Sequence, residues 1–215
     1  MIPVCVPVEI VLAYLIGSVP SAVWFGKLIY GVDVRQHGSG NAGATNVIRV
    51  LGYKAGIPVL LFDVFKGWLA VQLVSWFPPE GLAPDLIVYV SIGAALAAVL
   101  GHVFPVFAGF RGGKGVGTLA GVGIAFYPLA LLVVVTVFIL VLALTRYVSL
   151  ASMVGALLFP LAVFFVSGER NLGLLVLSLI VAVFVPLTHR KNIQRLVRGE
   201  ERKFDFRKKS GKPQS

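Results

Sequence analysis

Three polar segments hold most of the chemically useful residues in an otherwise apolar chain. The first reads His37-Gly38-Ser39-Gly40-Asn41-Ala42-Gly43-Ala44-Thr45-Asn46-Val47-Ile48-Arg49. Its small residues let the backbone approach a ligand, and successive amides can form an anion-binding concavity. Ser39, Thr45 and Asn46 add neutral donors, and Arg49 offers a planar fork that matches phosphate. Gly38, Gly40 and Gly43 spell G-x-G-x-x-G, but no strand precedes them and no βαβ unit surrounds them, as a dinucleotide site requires. The plainer alternative is a flexible connector between two helices.

The second segment reads Gly101-His102-Val103-Phe104-Pro105, then Arg111-Gly112-Gly113-Lys114-Gly115 leading into Val116-Gly117-Thr118. A Gly-Gly-Lys-Gly run entering a helix places amides and a cation at a positive dipole end, where anions are favoured. It is not a nucleotide P-loop: Ala108 stands where the first glycine belongs, and Gly115 replaces the hydroxyl residue that holds magnesium. The alternative is a turn whose lysine meets lipid headgroups. His102, ending an apolar run, is expected to be a structural hydrogen-bonder.

The third segment is split between Arg146-Tyr147-Val148-Ser149 and Thr188-His189-Arg190-Lys191-Asn192. His189 and Asn192 lie three apart and share a face if a helix continues through them. The plainer reading is a basic amphipathic tail on anionic lipid. Asp63 and Lys66 are also three apart, inside an apolar run, and are expected to form a structural ion pair. The chain has no metal-ligand spacing, no nucleophile elbow, and no His followed five residues on by Asp, since those positions hold Ala42, Phe107 and Gln194.

The elements that position these segments must be membrane helices. Hydrophobic residues make up 58% of the 215 and charged residues 13%, against roughly 45–50% and 25% in globular chains. A soluble globule of this size cannot hide that much apolar surface. Apolar runs extend over 4–30, 53–77, 86–104, 118–145, 148–166 and 172–187, and about 20 helical residues cross a bilayer core. The first run, which lacks a basic n-region, is read as a retained helix. Lone Cys5 excludes an internal disulfide.

Lys and Arg set the sidedness. Arg35, Arg49, Lys54, Arg111 and Lys114 mark the two glycine-rich loops as cytoplasmic. Arg190 to Lys212 hold ten cations against three acids and mark the C-terminal segment likewise. The N-terminus is then outside, and every polar segment falls on one face of the membrane, where its side chains could converge. A single crossing by 118–145 would put that basic segment outside, and its 28 residues would measure about 42 Å as one helix. A break at Phe126-Tyr127-Pro128 removes both conflicts. The expectation is therefore an all-α integral membrane protein of about seven helical segments, with two short helices in 118–145. Residues 1–200 would form a single polytopic domain and 201–215 a basic cytoplasmic tail.

Taken in order, these segments resemble the bacterial acyl-phosphate-dependent glycerol-3-phosphate acyltransferase family, the PlsY type. The resemblance rests on Gly38 to Asn46 with Arg49, on Gly101 to Pro105 with Gly112 to Gly115, and on Arg146 with Ser149. His189, Asn192 and the Gly199-Glu200 pair complete it, and Asp63, Lys66 and Gly67 also fit. It implies acyl transfer from acyl phosphate to the 1-hydroxyl of glycerol 3-phosphate, the first step of bacterial phospholipid synthesis. Lysophosphatidic acid and phosphate would be the products. It also implies a seven-helix fold in the bacterial inner membrane with its site facing the cytoplasm. The donor is an activated mixed anhydride, so neither metal nor cofactor is expected. Ser39, Arg49, Lys114, Ser149, His189 and Asn192 are the expected catalytic residues. Gly38, Gly40, Asn41, Thr45, Asn46, Gly112, Gly113, Gly115 and Arg146 would bind substrate. The proton acceptor is His189 or a substrate phosphate. Expected partners are the two substrates and membrane lipid, with no nucleic acid and no stable protein partner. Rival readings are an anion or ion transporter and a non-enzymatic lipid-bound scaffold.

Overall fold

The structure, a computed structural model, describes residues 5–206. Residues 207–215, most of the expected basic tail, lie outside the described residues. The described residues contain ten α-helices, two short 3-10 turns and no strand. They divide into two compact units, 5–125 and 126–206.

The first unit opens with α1 (Cys5–Ser18) and α2 (Ser21–Tyr30). One crossing was expected here, but the run is bent by 40° at Val19-Pro20. Pro20 has no N–H for the helix ladder, and its ring disfavours helical geometry at Val19. A 3-10 turn (Val34–Gln36) and α3 (Ala44–Leu51) follow, then the long α4 (Tyr53–Trp76) and α5 (Pro84–Val103). A second 3-10 turn (Val106–Ala108) leads to α6 (Val116–Phe126). Helix α5 packs against α1 and α4, while α4 also supports α2 and α3.

The crossing of α4 and α6 depends on glycine. A Cβ on Gly67 would strike the backbone of Thr118, and one on Gly121 would strike the backbone of Val64. Small residues at such crossings let helices approach within backbone contact. Gly121→Ala is expected to destabilise the protein by about 1–3 kcal/mol, because the obstructing carbonyl cannot rotate away. Thermal unfolding in detergent measures this, and an unchanged Tm would refute the packing argument.

The second unit contains α7 (Pro128–Thr145), α8 (Val148–Phe165), α9 (Leu172–Thr188) and α10 (Arg190–Val197). The helix break falls at Tyr127, where the sequence placed it. Its phenol donates to Leu174 O at 2.8 Å, and its ring meets Phe159 edge-on at 5.3 Å. The expectation of two short arms needs correction. Pro128 opens α7 at its first turn, where a missing N–H does no harm, so α7 keeps 18 residues and only α6, with 11, is short. Among the described residues, four helices are long and apolar enough to cross a membrane, or six if each bent pair makes one span. A seventh segment is reached only by counting α6.

Helix α8 lies between α7 and α9 and buries Ala151, Ser152, Gly155 and Ala162, small residues that permit close packing. In contrast, α7 leaves Leu132, Ile139 and Leu144 more than half exposed. Apolar exposure on that scale marks a lipid-facing surface.

Candidate active site

The first glycine loop is held from within by Asn46. This residue is 1% exposed, and its Oδ1 accepts from Ser39 N–H at 2.8 Å. Its Nδ2 donates to Val34 O at 2.7 Å and to His37 O at 3.1 Å. Asn46 was expected to orient substrate, but buried amides must be satisfied, and here they fasten the loop to α3. Gly38 and Gly40 adopt φ of 64° and 73°, so the chain reverses where glycine is unstrained. Asn41 is half-buried just before α3, and Thr45 and Arg49 lie one turn apart on that helix, both partly exposed.

Asp33 anchors the start of the loop. Arg35 grips it with Nε at 3.0 Å and Nη2 at 2.8 Å, and Lys27 Nζ stands 3.1 Å away. The Arg35 guanidinium, with Lys27 beside it, holds the Asp33 carboxyl well below the usual carboxylate range. A depressed folded value means stabilisation that is present above the unfolded value of about 3.9 and lost as pH falls through the folded one. Asp33→Asn should therefore lower the Tm at neutral pH. Its gap from the parent should shrink as the pH drops from about 5 to 3; a constant gap would refute the linkage.

The second loop is tied to the first through Arg35, whose Nη1 donates to Ala108 O at 2.9 Å. The amides of Gly112 and Gly113 donate to Val103 O at 3.2 Å and His102 O at 3.1 Å. They were expected to face phosphate. Backbone polar groups inside a packed turn need partners, and these two have theirs within the chain. Gly115, at φ 82°, accepts Leu119 N–H at 2.7 Å and so caps the start of α6, with half-buried Lys114 beside it. Between the loops lies a concavity of about 220 Å³ lined by Asp33, Arg35, Gln36, Gly40, Arg111 and Gly112. The structure thus joins Gly40 and Gly112 at one hollow. Arg35 and Arg111 join them there, although the sequence had marked them only for sidedness.

Beneath these loops is a buried charged cluster. Asp63 Oδ1 accepts from Ser21 Oγ at 2.7 Å and pairs with Lys66 Nζ at 2.9 Å. Lys66 Nζ also donates to Val19 O at 3.0 Å. At the Pro20 break that carbonyl turns back on itself, accepting from Ser21 N–H at 3.0 Å as well as from the cation. His102 Nδ1 is 3.4 Å from Asp63 Oδ1 but is aligned too poorly for a hydrogen bond.

The second unit has its own polar cluster, centred on a residue to which the sequence gave no role. Glu201 Oε1 accepts from Ser149 Oγ at 2.6 Å and Asn192 Nδ2 at 2.7 Å, and Oε2 pairs with Arg195 Nε at 3.0 Å. Arg146, in left-handed geometry at φ 63°, exchanges two bonds with Phe204: Phe204 N–H donates to Arg146 O, and Arg146 Nε donates to Phe204 O. These partners fix the predicted Arg146, Ser149 and Asn192 in place. His189, 3% exposed, sits at the 59° bend between α9 and α10. Its Nδ1 lies 2.8 Å from Val185 O, which only accepts, so Nδ1 carries a proton.

Lipid-facing helices, together with glycine loops that gather cations, define an integral membrane protein equipped to receive anions. A glycerol-3-phosphate acyltransferase profile matches residues 8–199, and the chain belongs to that family of enzymes. The glycerol-3-phosphate acyltransferase of Fusobacterium nucleatum is 46% identical over 197 residues, covering 92% of this chain and 97% of its own. That of Chlorobaculum tepidum is 44% identical over 225 residues, covering 94% and 97%. The fold is similar to crystal structures of PlsY, an integral membrane glycerol 3-phosphate acyltransferase. Its glycerol 3-phosphate form superposes with a TM-score of 0.80 at 37% identity, and its lysophosphatidic acid form with 0.81 at 36%. Both superpositions cover 94% of this chain and 96% of the other.

Proposed function

We propose that this protein transfers a fatty acyl group from acyl phosphate to the 1-hydroxyl of glycerol 3-phosphate, releasing lysophosphatidic acid and phosphate. The observation that carries this reading is the cation-lined hollow between the two glycine loops. Both substrates are phosphates, so the enzyme must hold two anions together and present a hydroxyl to an activated carbonyl carbon. That is catalysis by proximity and electrostatic stabilisation. Arg35 and Arg111 line that hollow; Arg49 and Lys114, which do not line it, are assigned to the phosphates by residue type and family likeness, while Gly38, Gly40 and Gly115 keep the backbone open to approach. Ser39, Asn41 and Thr45 supply neutral polar groups beside them.

Ser149 gives its single proton to Glu201. Towards a substrate it can therefore only accept, which suits a hydroxyl and not a phosphate oxygen. His189 or a phosphate of a bound substrate receives the hydroxyl proton. The distribution of Lys and Arg supports an inner-membrane protein with an external N-terminus and both glycine loops in the cytoplasm. Residues 1–200 act as one polytopic domain, with 201–215 on the cytoplasmic side.

Purified protein given acyl phosphate and glycerol 3-phosphate should form lysophosphatidic acid. Acyl-CoA and acyl-carrier-protein donors, run in parallel, should give none. Absence of product with acyl phosphate would overturn the donor assignment.

A further inference from the structure

An ionised lysine inside a membrane helix is expensive, and such residues mark functional positions. Lys66 and Asp63 are each 2% exposed within α4. The expected structural ion pair exists, but it explains the lysine incompletely. Two acceptors, Asp63 Oδ1 and Val19 O, serve an ammonium with three N–H groups. Lys66 also borders a narrow crevice beneath the second glycine loop, together with Ser21, His102, Pro105, Gly112 and Gly113.

Size decides what that crevice can take. Its volume of about 10 Å³ accommodates roughly one oxygen atom and is far too small for a phosphate. Its walls put a cation and a buried imidazole among apolar groups, where low dielectric strengthens an electrostatic contact. The loop must stay close for the crevice to exist: a Cβ on Gly113 would run into the His102 ring. The ring turns Nε2 towards Gly113, while its buried Nδ1 faces Asp63 Oδ1 at 3.4 Å.

We propose that this crevice receives the carbonyl oxygen of the acyl donor, with the Lys66 ammonium stabilising the negative charge that forms on it. This rests on the acyl-transfer reading above. The substrate hydroxyl oxygen bonds to the carbonyl carbon, and the C=O π pair moves onto the oxygen facing Lys66. When that pair returns, the C–O bond to phosphate breaks, and the hydroxyl proton ends on the released phosphate. Lys66 keeps its own protons throughout. Asp63 and His102 are positioning residues: the first fixes the ammonium, and the second supports the loop above it.

The test uses the full chain in detergent and a charge-balanced variant, Lys66→Met with Asp63→Asn. Its kcat should fall by about 100- to 1,000-fold while KM for glycerol 3-phosphate stays within about threefold. A folded variant with kcat within about fivefold of the parent would overturn the proposal. A second measurement needs no variant: an acylphosphonate, which keeps the carbonyl but cannot transfer it, is bound to the unaltered protein. Its infrared carbonyl stretch should move to lower frequency than in apolar solvent, and an unshifted stretch would overturn the proposal. Failure of the unaltered protein to make lysophosphatidic acid from acyl phosphate would instead sink the underlying reading.

Discussion

Lys114→Ala should lower kcat/KM by about 10- to 150-fold, the loss of one hydrogen bond to a charged group of roughly 1.5–3 kcal/mol. Arg49→Ala should cost at least as much, because a guanidinium can hold two phosphate oxygens at once. Arg49→Lys keeps the charge but loses the fork, so it should recover only part of the activity. The loop around Lys114 is held by backbone bonds from Gly112 and Gly113 to α5, so Lys114→Ala should leave the protein folded, which thermal unfolding checks. Steady-state kinetics with each substrate varied in turn will show which KM moves, and hence which phosphate each cation holds. If both cations grip one phosphate, the double variant should lose less than the product of the single losses. Unimpaired kcat/KM in either single variant would remove that residue from the phosphate site.

Membrane residence was legible because 58% hydrophobic content leaves a chain this short no other solvent. The break at Tyr127 was legible because two independent constraints met there: the length of one crossing and the side on which cations emerge. Its consequence was misjudged. Proline at the first turn of a helix starts it without weakening it, so α7 kept a full crossing length. The bend at Val19-Pro20 went unseen because hydropathy counts proline among neighbours and is blind to one missing N–H. Residue type was a weaker guide inside the loops. Asn46 has the donors and acceptors that a substrate would want, but a tight turn wants the same groups, and burial gave them to the turn. Glu201 was hidden for another reason. Its bond to Ser149 spans 52 residues of sequence, and no local pattern announces a partner that far away. Lys66 was placed correctly beside Asp63, but its second acceptor, Val19 O, is turned towards it only because α1 stops there.

Glu201→Ala should destabilise the second unit and impair activity together. Its side chain is 9% exposed and takes hydrogen bonds from three residues on two helices, of which Arg195 is 36% exposed. Breaking a fully buried ion pair removes about 3–5 kcal/mol. With Arg195 partly hydrated, about 2–3 kcal/mol is the expected loss here. Activity should fall as well, since Ser149 and Asn192 share the same carboxylate oxygen and would lose the anchor that sets their spacing. Glu201→Gln separates the two contributions. Its amide oxygen still accepts from Ser149 and Asn192, but the charge on Arg195 is left unanswered. It should therefore retain more activity than the alanine variant while losing part of the stability. Thermal unfolding and initial rates on the same purified samples test this order. If Glu201→Gln were as inactive as Glu201→Ala at equal stability, the carboxylate charge itself would be what the reaction requires, and a purely positional role for Glu201 would be wrong.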